Sequence, residues 1–106
     1  MFVKIYQYHI QEDKVADYLE LQEKTSTIYC KYIEHKSIYL QSQKDLTKWM
    51  EIAKYPDEKE YHKCLRLIHE EEEINLLYKK FCSYLVGDKQ EVFEESFIER
   101  RVTGIY

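Results

Sequence analysis

The chain opens on MFVKIYQYHI, in which Val3, Ile5, Gln7 and His9 fall on one side of an extended backbone and Phe2, Lys4, Tyr6 and Tyr8 on the other. β-Branched and aromatic residues are frequent on both sides, which predicts a strand from Phe2 to Ile10 with both faces partly covered. From Asp13 the period changes. Val15, Tyr18, Leu19, Gln22, Ile28, Tyr29, Tyr32 and Ile33 recur near helical spacing, while Asp17, Glu20, Glu23 and Lys24 take the wet side. This predicts a long first helix, frayed around the β-branched stretch Thr25 to Ile28.

Two extended runs follow, His35 to Ser42 and Leu46 to Tyr55, joined by the polar Gln43-Lys44-Asp45, and together they predict a hairpin. Pro56 breaks the strand, and Asp57 followed three residues later by Glu60 supplies an N-cap with its capping-box partner. Tyr61, Cys64, Leu65 and Ile68 then keep helical spacing, and a second set appears at Ile74, Leu77, Tyr78, Phe81 and Leu85. Between them lies HEEEE, whose carboxylates suit the positive end of a new helix, so two consecutive helices or one bent helix are expected. Gly87 is placed to cap the last turn, and Val92 to Arg101 alternates again as a final strand.

That order is the ferredoxin-like split plan: an α+β domain with a four-stranded antiparallel sheet and helices on one face. The strands carry apolar or aromatic residues on both faces, so the face without helices also needs cover. A second sheet packed against it meets that need, which predicts a homodimer.

Composition narrows the classes. At 106 residues the expectation is one domain spanning 1–106. Lysines interleave with glutamates at a net charge of −4, which argues against nucleic acid. No apolar run approaches the roughly 20 residues that cross a bilayer, and the alternating start is no signal peptide, so no membrane contact and a cytoplasmic location are expected. Cys30, Cys64 and Cys82 lack any C-x-x-C spacing and read as reduced fillers. Two glycines and one proline leave no glycine-rich phosphate cradle.

The order of elements, together with Glu51 at the end of the third strand, Tyr55, the turn Pro56-Asp57 and His62 on the next helix, resembles the dimeric α/β-barrel superfamily, in particular its antibiotic biosynthesis monooxygenase-like domains. The resemblance implies a dimeric α/β barrel and a reaction class that includes cofactor-free oxygenation of electron-rich aromatics. The haem-degrading branch is expected to carry an asparagine on the first strand. Here the only asparagine is Asn75, in the last helical stretch, which argues against haem breakdown.

The candidate chemistry centres on the third strand, where Thr47, Trp49, Glu51, Ala53 and Tyr55 share a face opposite Lys48, Met50, Ile52 and Lys54. Either face can be the barrel interior. A carboxylate beside an indole in an apolar cavity has a raised pKa and can act as a general base, so Glu51 is a candidate catalytic residue, with Trp49 and Tyr55 as cavity walls. Glu51 in an interface ion pair and Trp49 as plain core is the alternative. His62 can pair with Glu51 as a proton-transfer unit or simply stand half-exposed on its helix. Gln7 and His9 share a strand face and are candidate rim contacts. His62, His69 and Glu73 do not make a convincing metal site, because helical ligand pairs usually stand at i and i+4 and a fourth ligand is missing. Glu70 to Glu73 reads as a solvated helix start. The eleven tyrosines suit either a cavity for flat aromatic ligands or a dimer core.

The expected function is therefore a small homodimer that binds a small aromatic compound and, if an enzyme, oxidises it with dioxygen and no cofactor or metal. The rival is a non-catalytic ligand-binding or interaction module, and a third option is a barrel filled by its own side chains.

Overall fold

The computed structural model describes residues 1–105. Within them β1 (Phe2–His9), α1 (Val15–Cys30), β2 (Lys36–Gln41), β3 (Lys48–Tyr55), α2 (Glu58–His69), α3 (Glu72–Tyr84) and β4 (Phe93–Ile98) follow in order, with one 3₁₀ turn at Glu12–Lys14 ahead of α1. The sheet runs β2-β3-β1-β4 and every neighbouring pair is antiparallel. This is the ferredoxin-like arrangement expected from the order of the elements, with all three helices on one face. The dimensions, 38 × 35 × 22 Å, describe a two-layer slab, and a radius of gyration of 14.4 Å exceeds the ~13 Å of a compact body of this length.

Strand alternation decides which residues reach the helices. Tyr8 lies opposite Trp49, Tyr6 opposite Glu51, Lys4 opposite Ala53 and Phe2 opposite Tyr55. Two packed clusters form on this face. One gathers Tyr8, Ile10, Tyr18, Leu21, Trp49, Phe81 and Leu85. The other gathers Phe2, Ile28, Ile33, Ala53, Tyr55, Tyr61, Cys64, Ile68 and Ile74. The cross-strand row between them, Tyr39, Glu51, Tyr6 and Glu94, belongs to neither buried core.

The helices follow the sequence with identifiable adjustments. Asp57 accepts a hydrogen bond from the Glu60 N–H at 2.8 Å and starts α2 as its N-cap. Asp57→Ala is expected to cost about 1 kcal/mol, read as a lower urea midpoint with an unchanged slope. The HEEEE stretch divides two helices, and the Asn75 amide donates to the carbonyls of His69 and Glu71 at 3.2 Å each, tying the end of α2 to the start of α3. α1 is shorter than its apolar spacing suggests, ending at Cys30, with Tyr32 and Ile33 in the turn behind it. Leu19 is 40% exposed and Leu21 takes the buried position, because three residues on from the fully buried Tyr18 is Leu21 and one residue on is 100° away. Gly87 does not cap α3. Leu85 ends that helix in an extended conformation, buried and bridged to Ile10, while Gly87 sits in the tight turn between Val86 and Lys89.

The opposite sheet face carries Val3, Ile5, Met50 and Ile52 at its centre. Ile38, Leu40, Phe93 and Phe97 flank them at 36%, 47%, 60% and 42% exposure.

Candidate functional site

The row between the two clusters floors a cavity of about 490 Å3. The room arises from sequence. Along the inner stripe of α1, Gln22, Thr25 and Ser26 replace the large apolar residues found at Tyr18, Leu21 and Ile28, and Ser37 sits opposite on β2. Thr25 donates its hydroxyl to the Leu21 carbonyl at 3.0 Å, so one of these polar groups is already satisfied inside the helix. Seven tyrosines, among them Tyr6, Tyr29, Tyr55 and Tyr61, line the cavity.

Glu51 is the acidic centre of the floor. The Tyr8 hydroxyl donates to its Oε1 at 2.9 Å and the Gln22 amide reaches the same oxygen at 3.4 Å. Oε2 accepts nothing from the described residues and is left to the cavity. Because Tyr8 spends its only proton on Glu51, its hydrogen bond to Tyr18 runs with Tyr18 as donor. The Tyr39 hydroxyl closes the set by donating to Gln22 Oε1 at 3.5 Å. Burial outweighs the Tyr8 and Gln22 hydrogen bonds, which pull the other way, and the Glu51 carboxyl is lifted from the ordinary 4.5 to about 7. Burial also drives the Tyr8 and Tyr18 phenols well above their ordinary value, so both stay protonated as donors. The arrangement is a half-ionised carboxylate near neutral pH, held by neutral donors on one oxygen and open on the other. That is the condition of a general base.

A second polar group lies further along the same cavity. His35 Nε2 stands 3.0 Å from Ser26 Oγ, and the imidazole stacks on Tyr55 with ring centroids 5.9 Å apart. Both residues line the cavity. At its rim Lys4 Nζ holds Glu94 at 2.6 Å and donates to Ser96 at 3.2 Å.

Glu51 and Tyr55 line the cavity together. Trp49 is a wall behind it, 4.9 Å from the Tyr18 ring, with its Nε1 buried and without a hydrogen-bond partner. His62 is not brought to Glu51. It follows Tyr61, the buried residue of the inner α2 stripe, by one position and so turns outward, where it meets Glu58 at 3.3 Å with most of its side chain in solvent. His9 and Gln7 stand on the sheet face away from the helices. His9 pairs with Thr47 Oγ1 at 2.9 Å and Asp45 at 3.6 Å, which braces the end of the hairpin. Among the described residues no three His, Cys, Asp or Glu side chains are placed to share a metal ion. His69 lines the cavity without His62 or Glu73. Sequence reasoning passed over Tyr8, Gln22, Ser26, His35 and Tyr39 as site residues. Their available signal was the polar Gln22 and Ser26 on the otherwise apolar inner stripe of α1.

Comparison with solved structures places this geometry on a known scaffold. An uncharacterised NIPSNAP domain protein from Burkholderia xenovorans superposes with a TM-score of 0.74 at 13% identity, over 99% of this chain and 100% of that one. An antibiotic biosynthesis monooxygenase superposes at 0.69 with 16% identity, over 95% and 100% of the two chains. This chain has the ferredoxin-like fold of those proteins. SnoaB from Streptomyces nogalater, a cofactor-independent oxygenase, superposes at 0.71 with 9% identity over 95% of this chain and 94% of that one. No family model and no curated protein matches the sequence.

Proposed function

We propose that the chain acts as a homodimer whose cavity takes up a small aromatic molecule, with Glu51 as the base that removes a proton from it. The observation that carries this reading is the half-buried Glu51 carboxylate, lifted to about 7, with Oε2 open to an aromatic-walled cavity of about 490 Å3. The proton leaves an acidic C–H or phenolic O–H for Oε2. The carbanion or phenolate then gives an electron pair to dioxygen, a task that cofactors perform in other enzymes. A C–O bond forms, the peroxide takes the proton back from Glu51, and its O–O bond breaks with loss of water to leave a quinone carbonyl. Similarity to a cofactor-independent oxygenase supports that choice of oxidant. The apolar sheet face supports the homodimer, and three free cysteines fit the cytoplasm.

Oxygen uptake tests the reading, measured with a panel of hydroxynaphthalenes as the pH is raised. Wild-type uptake is expected to climb through pH 7 and level off as Glu51 ionises. Glu51→Gln is expected to lower it by ~10²–10⁴-fold, the ordinary contribution of a positioned base, with the fold intact. His62→Ala is expected to change neither. Wild-type protein that binds these compounds and consumes no oxygen would leave a binding module, the rival function, and remove the catalytic step.

A further inference from the structure

The Ser26–His35 pair has no part in the proton transfer assigned to Glu51, yet it is aimed into the same cavity, and the contacts of the ring distinguish its two nitrogens. His35 Nδ1 lies 3.4 Å from the Ile33 carbonyl and 3.8 Å from Cys30 Sγ. A carbonyl oxygen only accepts, so Nδ1 carries the ring proton and Nε2 is left as an acceptor. Nε2 therefore takes the Ser26 hydroxyl proton across the 3.0 Å contact. With its proton committed to the imidazole, Ser26 Oγ presents lone pairs to the cavity. At the other end, Glu51 Oε2 presents lone pairs as well. The cavity has an acceptor at each end.

The spacing of the two acceptors is bounded by the fold. Gln22, which touches Glu51, lies one helical turn before Ser26, about 6 Å along α1 at 1.5 Å per residue. Along the sheet, His35 stacks on Tyr55, and Tyr55 is four residues beyond Glu51, ~13 Å at 3.3 Å per residue. One or two fused aromatic rings span that interval. Charge adds a second restriction. The ionisable side chains lining the cavity are Glu51, Glu94, His35, His69 and tyrosines, with no lysine or arginine among the described residues, and Lys4 at the rim is already held by Glu94. A carboxylated or phosphorylated ligand would find no counter-charge there.

We infer that Ser26, oriented by His35, is a second docking station that selects uncharged aromatic molecules carrying an O–H or N–H donor at both ends. This rests on the aromatic-binding part of the proposed function and adds the identity of the ligand's far end. Ser26 is a positioning residue for the ligand, and His35 acts through it.

Isothermal titration under nitrogen with 2,6-dihydroxynaphthalene, 2-naphthol and 6-hydroxy-2-naphthoate at pH 8, where Glu51 is mostly ionised, tests the inference. Wild-type protein is expected to bind the diol about tenfold more tightly than 2-naphthol, the worth of one well-made hydrogen bond, and the naphthoate at least about tenfold more weakly than the diol. Ser26→Ala, a small change on a helix, is expected to bring the diol down to the affinity of 2-naphthol and leave 2-naphthol unchanged. His35→Phe keeps the stack on Tyr55 and frees the Ser26 proton, and is expected to narrow the same preference. A diol preference that survives in both variants, an equal loss for both naphthols, or a naphthoate that binds as well as the diol would overturn the second station while leaving an aromatic-binding cavity. If neither naphthol binds the wild-type protein, the cavity reading fails and the inference fails with it.

Discussion

At pH 8 the Glu51→Gln protein is expected to unfold at a temperature higher than the wild type by ~10 °C, and the gap is expected to close below pH 4.5. The cause is linkage. Burial raises the Glu51 carboxyl from 4.5 to about 7 in the folded chain, so between those values the folded state keeps a proton that the unfolded state releases. Stability then falls as pH rises through that window and levels off above pH 7. At ~1.4 kcal/mol per unit of pKa, the full displacement amounts to about 3 kcal/mol at its upper limit. Glutamine keeps an oxygen for the Tyr8 and Gln22 donors and never ionises, so it removes that loss. For a domain of this size a kilocalorie moves the midpoint by ~4–8 °C. Paired thermal melts of the two proteins from pH 4 to pH 9 read the effect, because every other titrating group is common to both. Equal melting temperatures at pH 8 would mean that the folded carboxyl titrates near its ordinary value and that the base at the cavity floor has no tuning.

The sign of that effect bears on function. Packing alone favours a neutral side chain at position 51, between the two clusters and facing Tyr6 and Tyr39. A higher melting temperature for Glu51→Gln would mean that stability is given up at one half-buried position in an otherwise regular sheet, the pattern of a site kept for chemistry or binding.

Much of the architecture was legible because it depends on period. Alternation in β1 and β3 fixed which residues share a face, and Tyr8, Trp49, Glu51 and Tyr55 do lie on one side of the sheet with Gln7 and His9 on the other. The N-cap at Asp57 and the carboxylate run at the start of α3 marked real helix boundaries, although the Glu60 side chain meets Cys64 and does not return to the Asp57 N–H. A cavity is a different kind of object. It is the space left when small or polar residues from several elements meet, and no single segment's period reports it. Gln22 was visible in the helical stripe as one more recurring position, yet its role depends on Tyr8, Tyr39 and Glu51 from three strands arriving at the same point. His62 illustrates the converse. Its spacing from Glu51 fits a resemblance in sequence, whereas its direction is set by Tyr61, which takes the inner face of α2 and turns its neighbour to solvent.

Ile52→Lys is expected to turn the proposed homodimer into a monomer at micromolar concentration while leaving the fold in place. Ile52 pairs with Ile5 on one side and Ile38 on the other, at the middle of the sheet face that no helix covers. In a single chain this face meets water, and a lysine there can extend its ammonium into solvent over the neighbouring side chains. In a dimer joined face to face, each copy would carry that charge into an apolar contact without a carboxylate beside it, a cost of several kilocalories that weakens association by about 10³-fold or more. Native mass spectrometry reads both outcomes, with two chains expected for the wild type and one for the variant. A wild-type monomer would remove the dimer and leave the exposed Leu40, Phe93 and Phe97 in need of another partner. The same monomeric variant separates the two faces of the sheet. Glu51, Gln22, Ser26 and His35 all come from one chain and lie on the helix side, so the Ile52→Lys monomer is expected to keep the wild-type affinity for 2,6-dihydroxynaphthalene. Loss of binding together with loss of the dimer would mean that the partner shapes the cavity through the sheet.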